Sequence, residues 1–194
     1  HPRPDTTRHD PTRPDTTQRN SMTFPDMARD EKGRLIPESE QTAVWLLGGL
    51  AQIRVPGSAT RNAFTVVQHT GDRGYNTPLH VHDHEDEVFI VLDGTLRMVC
   101  DGEEQIAEAG STMIVPRNVP HGFVTTSDNA RFLTIHSTPQ PDRRPQFDLF
   151  LEAELPHATA LTLPTEDLAG PDLDHLIALG PAYAFRYAGP PPAP

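Results

Sequence analysis

The sequence is poor in cysteine, and Cys100 is its only one. A single thiol cannot form an internal disulfide and cannot supply a cysteine-rich metal cluster. Any metal site in the chain therefore has to be built from histidine and carboxylate side chains. Cys100 alternates with Leu96 and Met98 along an apolar run, which predicts a small buried hydrophobic side chain at this position.

Positive charge and long apolar runs are also scarce. The chain has 16 Lys+Arg against 27 Asp+Glu, a formal net charge of -11 that repels nucleic acid. It has no apolar run of about 18 residues that could span a membrane, and its N-terminus lacks a signal-peptide core. These properties predict a soluble, cytoplasmic protein whose partners are neither nucleic acid nor membranes.

Aromatic residues are sparse, and many of the 21 prolines lie near the two ends. The motif RPDTT occurs at 3–7 and again at 13–17, in a stretch with few residues to bury. The composition predicts three parts. They are a disordered arm at 1–21, a barrel domain with lead-in strands at 22–145, and a helical extension with a Pro-rich tail at 146–194.

Between about 42 and 137 the chain consists of short runs rich in Val, Ile, Phe and Thr, separated by turn residues. Many short strands at regular spacing are typical of an antiparallel sandwich or barrel, so we expect an all-β fold. The Asp-Gly pair at 101–102 predicts a tight hairpin. Two short helices are expected at 147–154 and 172–180, the second ending at a Gly180 C-cap.

The residues that carry chemistry lie in two segments. His80 and His82 are two apart, so on an extended strand both imidazoles point to the same face. Glu87 opens an otherwise apolar strand face, where a carboxylate is costly unless it is paired or bound to metal. His121 begins another strand. Three imidazoles and one carboxylate suit Fe, Ni, Co, Mn, Zn or Cu, and such a site leaves positions open for substrate.

Both segments resemble the paired motifs of the cupin superfamily. The first family motif is Gly, five residues, His-x-His, three or four residues, Glu, six residues and Gly. The second contains Gly, five residues, Pro-x-Gly, two residues and His, followed by Asn after three more. The matching positions are Gly74, His80, His82, Glu87, Gly94, Gly110, Pro116 and His121. Asn118 replaces the usual second-motif Gly, a mild change in a left-handed turn, and Thr125 replaces Asn.

This resemblance covers residues 42–137 and implies a cupin-type jelly-roll barrel with one divalent transition metal per chain. It also implies that His80, His82, Glu87 and His121 are the ligands. The lead-in WLLGGLAQIRV, the phrase VPRNVPHGF and the C-terminal helices are similar to those of single-domain quercetinase-like dioxygenases. By the same resemblance we expect a homodimer, with the strand at 42–55 as the candidate contact.

Several alternatives stay open for these residues. The four candidate ligands could form a hydrogen-bonded cluster without metal, or hold a purely structural ion. His84 would replace His80 if the strand register slipped. The turn with Asp83, Glu85 and Asp86 is interpreted as a solvated acidic loop, and Arg97 and Arg117 as surface residues. The side chains expected to line the substrate cavity are Phe64, Phe89, Met113, Phe123, His69 and His136.

Three functions fit the sequence. The first is a metal-dependent dioxygenase acting on a small aromatic or polyphenolic, flavonol-like compound, with Glu87 as the catalytic proton acceptor. The second is an isomerase, cyclase, lyase or decarboxylase that uses the same metal on an enolisable metabolite. The third is a non-catalytic small-molecule-binding cupin. A transcription factor is disfavoured because neither end of the chain shows a helix-turn-helix pattern or a basic patch.

Overall fold

The computed structural model describes residues 33–140, 143–165 and 172–194, so the arm expected at 1–21 lies outside the described residues. Ile36–Pro194 form one unit that holds the barrel strands together with the C-terminal segment. In the described residues, no helix is long and apolar enough to cross a membrane.

The strands fall into two antiparallel sheets, which confirms the all-β jelly-roll architecture expected from the sequence. Their order is β1-β2-β3-β10-β5-β8 in the six-stranded sheet and β11-β4-β9-β6-β7 in the five-stranded sheet. The strands are β1 (Ala43–Leu46), β2 (Gly49–Val55), β3 (Phe64–Asp72), β4 (Leu79–His82), β5 (Asp86–Asp93), β6 (Thr95–Cys100), β7 (Glu103–Glu108), β8 (Thr112–Val115), β9 (His121–Thr125), β10 (Asn129–Ser137) and β11 (Phe185–Gly189).

The barrel core lies between the inward faces of the two sheets. Burial alternates along β5, where Glu87, Phe89 and Val91 point inward, as the sequence alternation predicts. Phe123 from the opposite sheet meets Phe132 edge to face, with ring centroids 4.9 Å apart. Aromatic rings therefore fill the barrel on one side of Glu87. Cys100 is only partly buried at the margin of this core.

Tight turns set the register of the strands. Asp101 and Gly102 have φ angles of 50° and 80°, the left-handed values that a two-residue hairpin between β6 and β7 requires. The predicted hairpin is therefore confirmed. Asn118 has a φ of 63°, so asparagine supplies here the left-handed conformation for which glycine is usual in the family motif.

The C-terminal segment contains both expected helices, α1 (Phe147–Glu154) and α2 (Leu173–Leu179). Gly180 is the C-cap of α2, as expected, and its backbone N–H bonds to the Leu176 carbonyl. Its φ is -45°, and a 3-10 turn follows to Tyr183 before Ala184 adopts the left-handed conformation. The strand β11 was not predicted. It pairs with β4, so the segment expected to be a helical extension adds a strand to the barrel.

The C-terminal segment also covers the outer edge of β1. Trp45 donates its backbone N–H to the Pro156 carbonyl at 3.0 Å, and Ala158 donates to the Ala43 carbonyl at 2.8 Å. Because these bonds occupy the edge, β1 is not available for strand-to-strand pairing with a second copy. A homodimer with the strand at 42–55 as its contact stays a prediction, and such a contact would use the faces of these strands rather than the edge of β1.

Candidate metal centre

Three histidines of one sheet face a glutamate of the other. His80 and His82 lie two apart on β4, and His121 at the start of β9 pairs with His80 in the strand register. Glu87 projects from β5 in the opposite sheet. Each of the four side chains offers a donor atom, and these atoms lie within 4.8 Å of one another. His82, Glu87 and His121 are buried, and His80 is partly exposed.

Each of the three histidines has an acceptor beside its Nδ1 atom. Nδ1 of His80 lies 2.9 Å from the Pro78 carbonyl, and Nδ1 of His121 lies 2.9 Å from the Val119 carbonyl. A carbonyl only accepts hydrogen bonds, so in both rings a proton belongs on Nδ1, which leaves Nε2 as the ring atom that can bind a metal. For His82 the partner of Nδ1 is a carboxylate oxygen of Glu85, at 3.2 Å.

The donor atoms fit a divalent transition metal in both chemistry and spacing. Oε2 of Glu87 lies 2.8 Å from Nε2 of His121 and 3.4 Å from Nε2 of His82. Two ligand atoms that share an ion at about 2.0–2.2 Å are roughly 3–3.5 Å apart in a tetrahedral site. Nε2 of His82 is also buried without a hydrogen-bond partner, which is unusual unless a further ligand completes its environment.

The charges around the centre are strongly coupled. Burial would raise the pKa of Glu87, but the nearby His136, His121 and His82 outweigh it and hold the value well below the usual range. Burial would lower the pKa of His82, yet the carboxylates of Glu85 and Glu87 beside it raise the value to about 10. Burial, together with His121 and His82, lowers the pKa of His80. Glu87 is therefore an anion at neutral pH, ready to bind a cation.

Glu85 is the site residue that the sequence interpretation missed. It was expected in a solvated loop, but its side chain is 2% exposed and lies between His82 and His136. The signal was present, because Glu85 is two residues before Glu87 and continues the inward-facing alternation of β5. The rest of the loop is at the surface, where Asp83 pairs with Arg186 and Asp86 pairs with Arg117.

His136 and His69 lie inside the barrel rather than at its mouth. Nε2 of His136 is 3.4 Å from Oε1 of Glu87 and 3.2 Å from the Thr134 hydroxyl. The same hydroxyl lies 3.2 Å from Nε2 of His69, whose Nδ1 is 3.1 Å from the Tyr75 hydroxyl. A buried polar chain thus leads away from Glu87. His84 is partly exposed in the turn and outside the four-donor group, which places His80 and not His84 beside His82.

An apolar pocket of about 70 Å³ opens beside His80 and His82. Its walls come from β1 and from the C-terminal segment. The apolar side chains in these walls include Leu46, Phe147, Phe150, Leu176, Ile177 and Phe185. The C-terminal helices therefore shape the entrance to the metal centre, a feature that local sequence patterns do not reveal.

The residues expected to contact substrate lie elsewhere. Phe89 and Phe123 are buried in the barrel core, and Met113 packs against that core. His69 and His136 are buried, and none of these five lines the described pocket. Phe64 is 40% exposed, because the inward positions of β3 are the odd-numbered ones. None of the six expected side chains is part of this pocket, whose walls include the C-terminal segment, and their contact with a substrate stays a prediction.

Comparisons with known proteins agree with this geometry. Residues 68–136 match the family model of the cupin domain, and this range contains all four donor residues. Over 85 residues the chain is 32% identical to quercetin 2,3-dioxygenase of Bacillus subtilis. That match covers 44% of this chain, and the chain spans only 25% of the length of that relative.

Solved structures show the same fold. KdgF from Halomonas sp. superposes with a TM-score of 0.50 at 20% identity, over 57% of this chain and 98% of that one. The polyketide cyclase RemF from Streptomyces resistomycificus gives a TM-score of 0.48 at 22% identity, over 56% of this chain and 83% of that one. At 20% identity, the likeness to KdgF concerns the architecture alone.

Proposed function

Because the chain contains a cupin domain, we propose that it is a metal-dependent dioxygenase acting on a small, neutral, aromatic hydroxylated compound of the flavonol type. The metal ligands are His80, His82, Glu87 and His121. The proposal is supported by the similarity to a quercetin dioxygenase over the segment that contains the donors. The substrate enters through the pocket that α1, α2 and β11 form beside His80 and His82.

The observation that carries this proposal is the character of the pocket. Its described walls are aliphatic and aromatic, and no lysine or arginine is among them. A phosphate or carboxylate bound there would lose its hydration without a cationic partner, which is costly. A flat aromatic ring would bury apolar area against these walls and place a hydroxyl group near the two histidines. Because the pocket holds only about 70 Å³, the rest of a flavonol-sized molecule would have to extend past its mouth or displace the C-terminal walls. The pocket thus favours neutral aromatic substrates over sugar phosphates and small carboxylic acids.

The chain's own residues supply binding, orientation and proton transfer. A divalent metal in this site would act as a Lewis acid that stabilises a deprotonated substrate oxygen. Glu87 has one oxygen toward His121 and His82 and the other toward His136, so it can accept the hydroxyl proton within the buried centre. Phe147 and Phe150 shield the site from water, which limits loss of a reactive substrate anion to solvent.

Oxygen consumption provides the test. The chain loaded in turn with Fe, Ni, Co, Mn, Zn or Cu is mixed with a panel of flavonols and catechols, and product mass is measured under ¹⁸O-labelled dioxygen. Metal-dependent uptake with label in the product is expected. His121→Ala should be inactive, whereas the matched surface variant Ile114→Ala, at a side chain that is 69% exposed, should retain full activity. Absence of uptake with every metal and substrate would contradict the proposal.

The contact between Glu87 and His136 favours a second candidate. A carboxylate and an imidazole 3.4 Å apart could remove a proton from a substrate carbon and return it at a neighbouring carbon, a reaction that does not consume dioxygen. Such a site would catalyse isomerisation, cyclisation or elimination of an enolisable metabolite. Conversion that proceeds under argon with an unchanged product mass would support this candidate. Ligand binding without conversion, retained in Glu87→Gln, would instead indicate a binding protein.

A further inference from the structure

The group beside Nδ1 of His82 is different from those beside the other two histidines. His80 and His121 face backbone carbonyls, whereas His82 faces the carboxylate of Glu85. We propose that Glu85 is a positioning residue, which holds His82 with its proton on Nδ1 and its Nε2 free for the metal, and which links this ligand to helix α1. The inference rests on metal binding by the four donors, as proposed above.

The contacts of Glu85 involve both of its oxygens. Oε2 lies 3.2 Å from Nδ1 of His82 and 3.3 Å from Nδ1 of His136. Oε1 accepts hydrogen bonds from the backbone N–H groups of Gln146 and Phe147, where α1 begins; the Phe147 contact is 3.3 Å long. One buried carboxylate therefore joins two imidazoles on one side to the start of a pocket wall on the other.

These contacts fix which atom faces which neighbour. Two backbone donors surround Oε1, so only an acceptor atom fits there. In Glu85→Gln the amide oxygen must take that place, and the NH₂ group then points toward His82 and His136. An NH₂ group donates, so it would favour the imidazole form with a bare Nδ1 and a protonated Nε2 on His82. That form cannot offer Nε2 to a metal without first losing the proton.

A second ion between His82, Glu85 and His136 is the competing explanation, since their donor atoms also lie within 4.8 Å. It is less favourable for two reasons. His82 would have to lose both of its ring protons to bind two ions. Oε1 of Glu85 is already occupied by backbone N–H groups, which leaves this group with three donor atoms. Metal stoichiometry distinguishes the two explanations.

The test is a titration of metal-free protein with Zn²⁺ in competition with a chromophoric chelator. We expect one ion per chain for the unaltered protein and an affinity about 10- to 100-fold weaker for Glu85→Gln. Glu85→Asp retains the acceptor and should recover part of that loss, although it is shorter and fills the space less well. The matched control is Asp83→Asn, which removes a carboxylate of the same turn that pairs with Arg186. It should bind Zn²⁺ as tightly as the unaltered chain.

Each outcome decides between the explanations. Equal affinity in Glu85→Gln, or weaker binding in Glu85→Asp than in Glu85→Gln, would overturn the inference while leaving the metal site intact. Two ions per chain, with one lost in Glu85→Gln, would make Glu85 a ligand and also overturn it. An unaltered chain that binds no Zn²⁺ would overturn both this inference and the proposed function. Should Glu85→Gln not fold, nitrogen NMR of the Zn²⁺-loaded unaltered chain decides: zinc on Nε2 of His82 supports the inference, and zinc on Nδ1 overturns it.

Discussion

The phenyl ring of Phe147 stacks on the imidazole of His136, with ring centroids 4.3 Å apart and an interplanar angle of 26°. Phe147 is the first residue of α1, and its backbone N–H is one of the two bound to Glu85. The same residue is also part of the pocket wall. Helix α1 is therefore joined to the candidate metal centre through a side chain and a backbone group, and its position sets the shape of the entrance.

This stacking predicts a specific effect of Phe147→Leu. Leucine keeps most of the apolar volume but removes the ring contact, so we expect a loss of about 1 kcal/mol in the free energy of unfolding. The Zn²⁺ affinity should stay within about twofold of the unaltered chain, because Phe147→Leu keeps the backbone N–H that binds Glu85 and removes no hydrogen-bond partner of a metal ligand. Denaturant unfolding and the chelator titration measure the two quantities. Phe64→Leu, at a 40% exposed ring, is the control and should leave both unaffected.

Acid should weaken the fold through His69. Burial, reinforced by His136 and opposed by Glu87, lowers the pKa of His69 from 6.5 to about 3. Above pH 6.5 the ring is neutral in both states. As the pH falls below 6.5, the unfolded chain takes up a proton that the folded chain refuses, so the free energy of unfolding decreases until the folded pKa is reached.

The size of this effect can be isolated with His69→Gln, which retains hydrogen-bonding groups but does not titrate. When the pH is lowered from about 7.5 to about 4.5, the free energy of unfolding of the metal-free protein should fall by about 2–3 kcal/mol more than that of His69→Gln. Urea unfolding at the two pH values gives both losses. Equal losses in the two chains would show that His69 contributes nothing to the acid sensitivity.

Gly94 and Gly110 are motif glycines with different surroundings. Both have left-handed φ angles, 80° and 91°. A Cβ atom on Gly110 would meet nothing within 4 Å, whereas one on Gly94 would lie 2.8 Å from Cα of Ala130 and contact the Asn129 carbonyl. Gly110→Ala should lower the free energy of unfolding by about 1–2 kcal/mol, because alanine is strained in the left-handed conformation. Gly94→Ala should lower the free energy of unfolding by a further amount of about 1–3 kcal/mol, because the added methyl group overlaps its neighbours. Similar melting temperatures for the two variants would contradict this account.

The parts of the molecule that could be predicted from sequence are those set by local patterns. The convergence of His80, His82 and Glu87 follows from strand alternation, and helix α1 follows from its apolar spacing. Glu85 carried the same alternation, but the acidic turn around it indicated solvent. Its burial depends on backbone N–H groups of Gln146 and Phe147, about sixty residues later in the chain.

The pocket could not be predicted because its walls are assembled over long distances in sequence. Strand β11 pairs with β4 across about a hundred residues, and Phe185 is opposite His82 in that pairing. No hydrophobic periodicity within residues 181–194 predicts a strand there or its pairing with β4. Locating α2 beside His80 likewise requires the path of the chain after α1. The candidate ligands were therefore predictable, and the surface that selects a substrate was not.

Metal binding should stabilise the fold through the four donors. An ion that binds only the folded chain adds about 2.7 kcal/mol to the free energy of unfolding when it is present at a hundredfold excess over its Kd. In His121→Ala the site loses one of its four donors and binds the ion more weakly, so added Zn²⁺ at the same concentration should raise the free energy of unfolding little. Ile114→Ala, at an exposed position of β8, should show the full increase.

Denaturant unfolding with and without Zn²⁺, and again after chelation, measures the difference. An equal increase in His121→Ala would mean that the ion binds elsewhere, because His121 supplies the donor nearest to Glu87, at 2.8 Å.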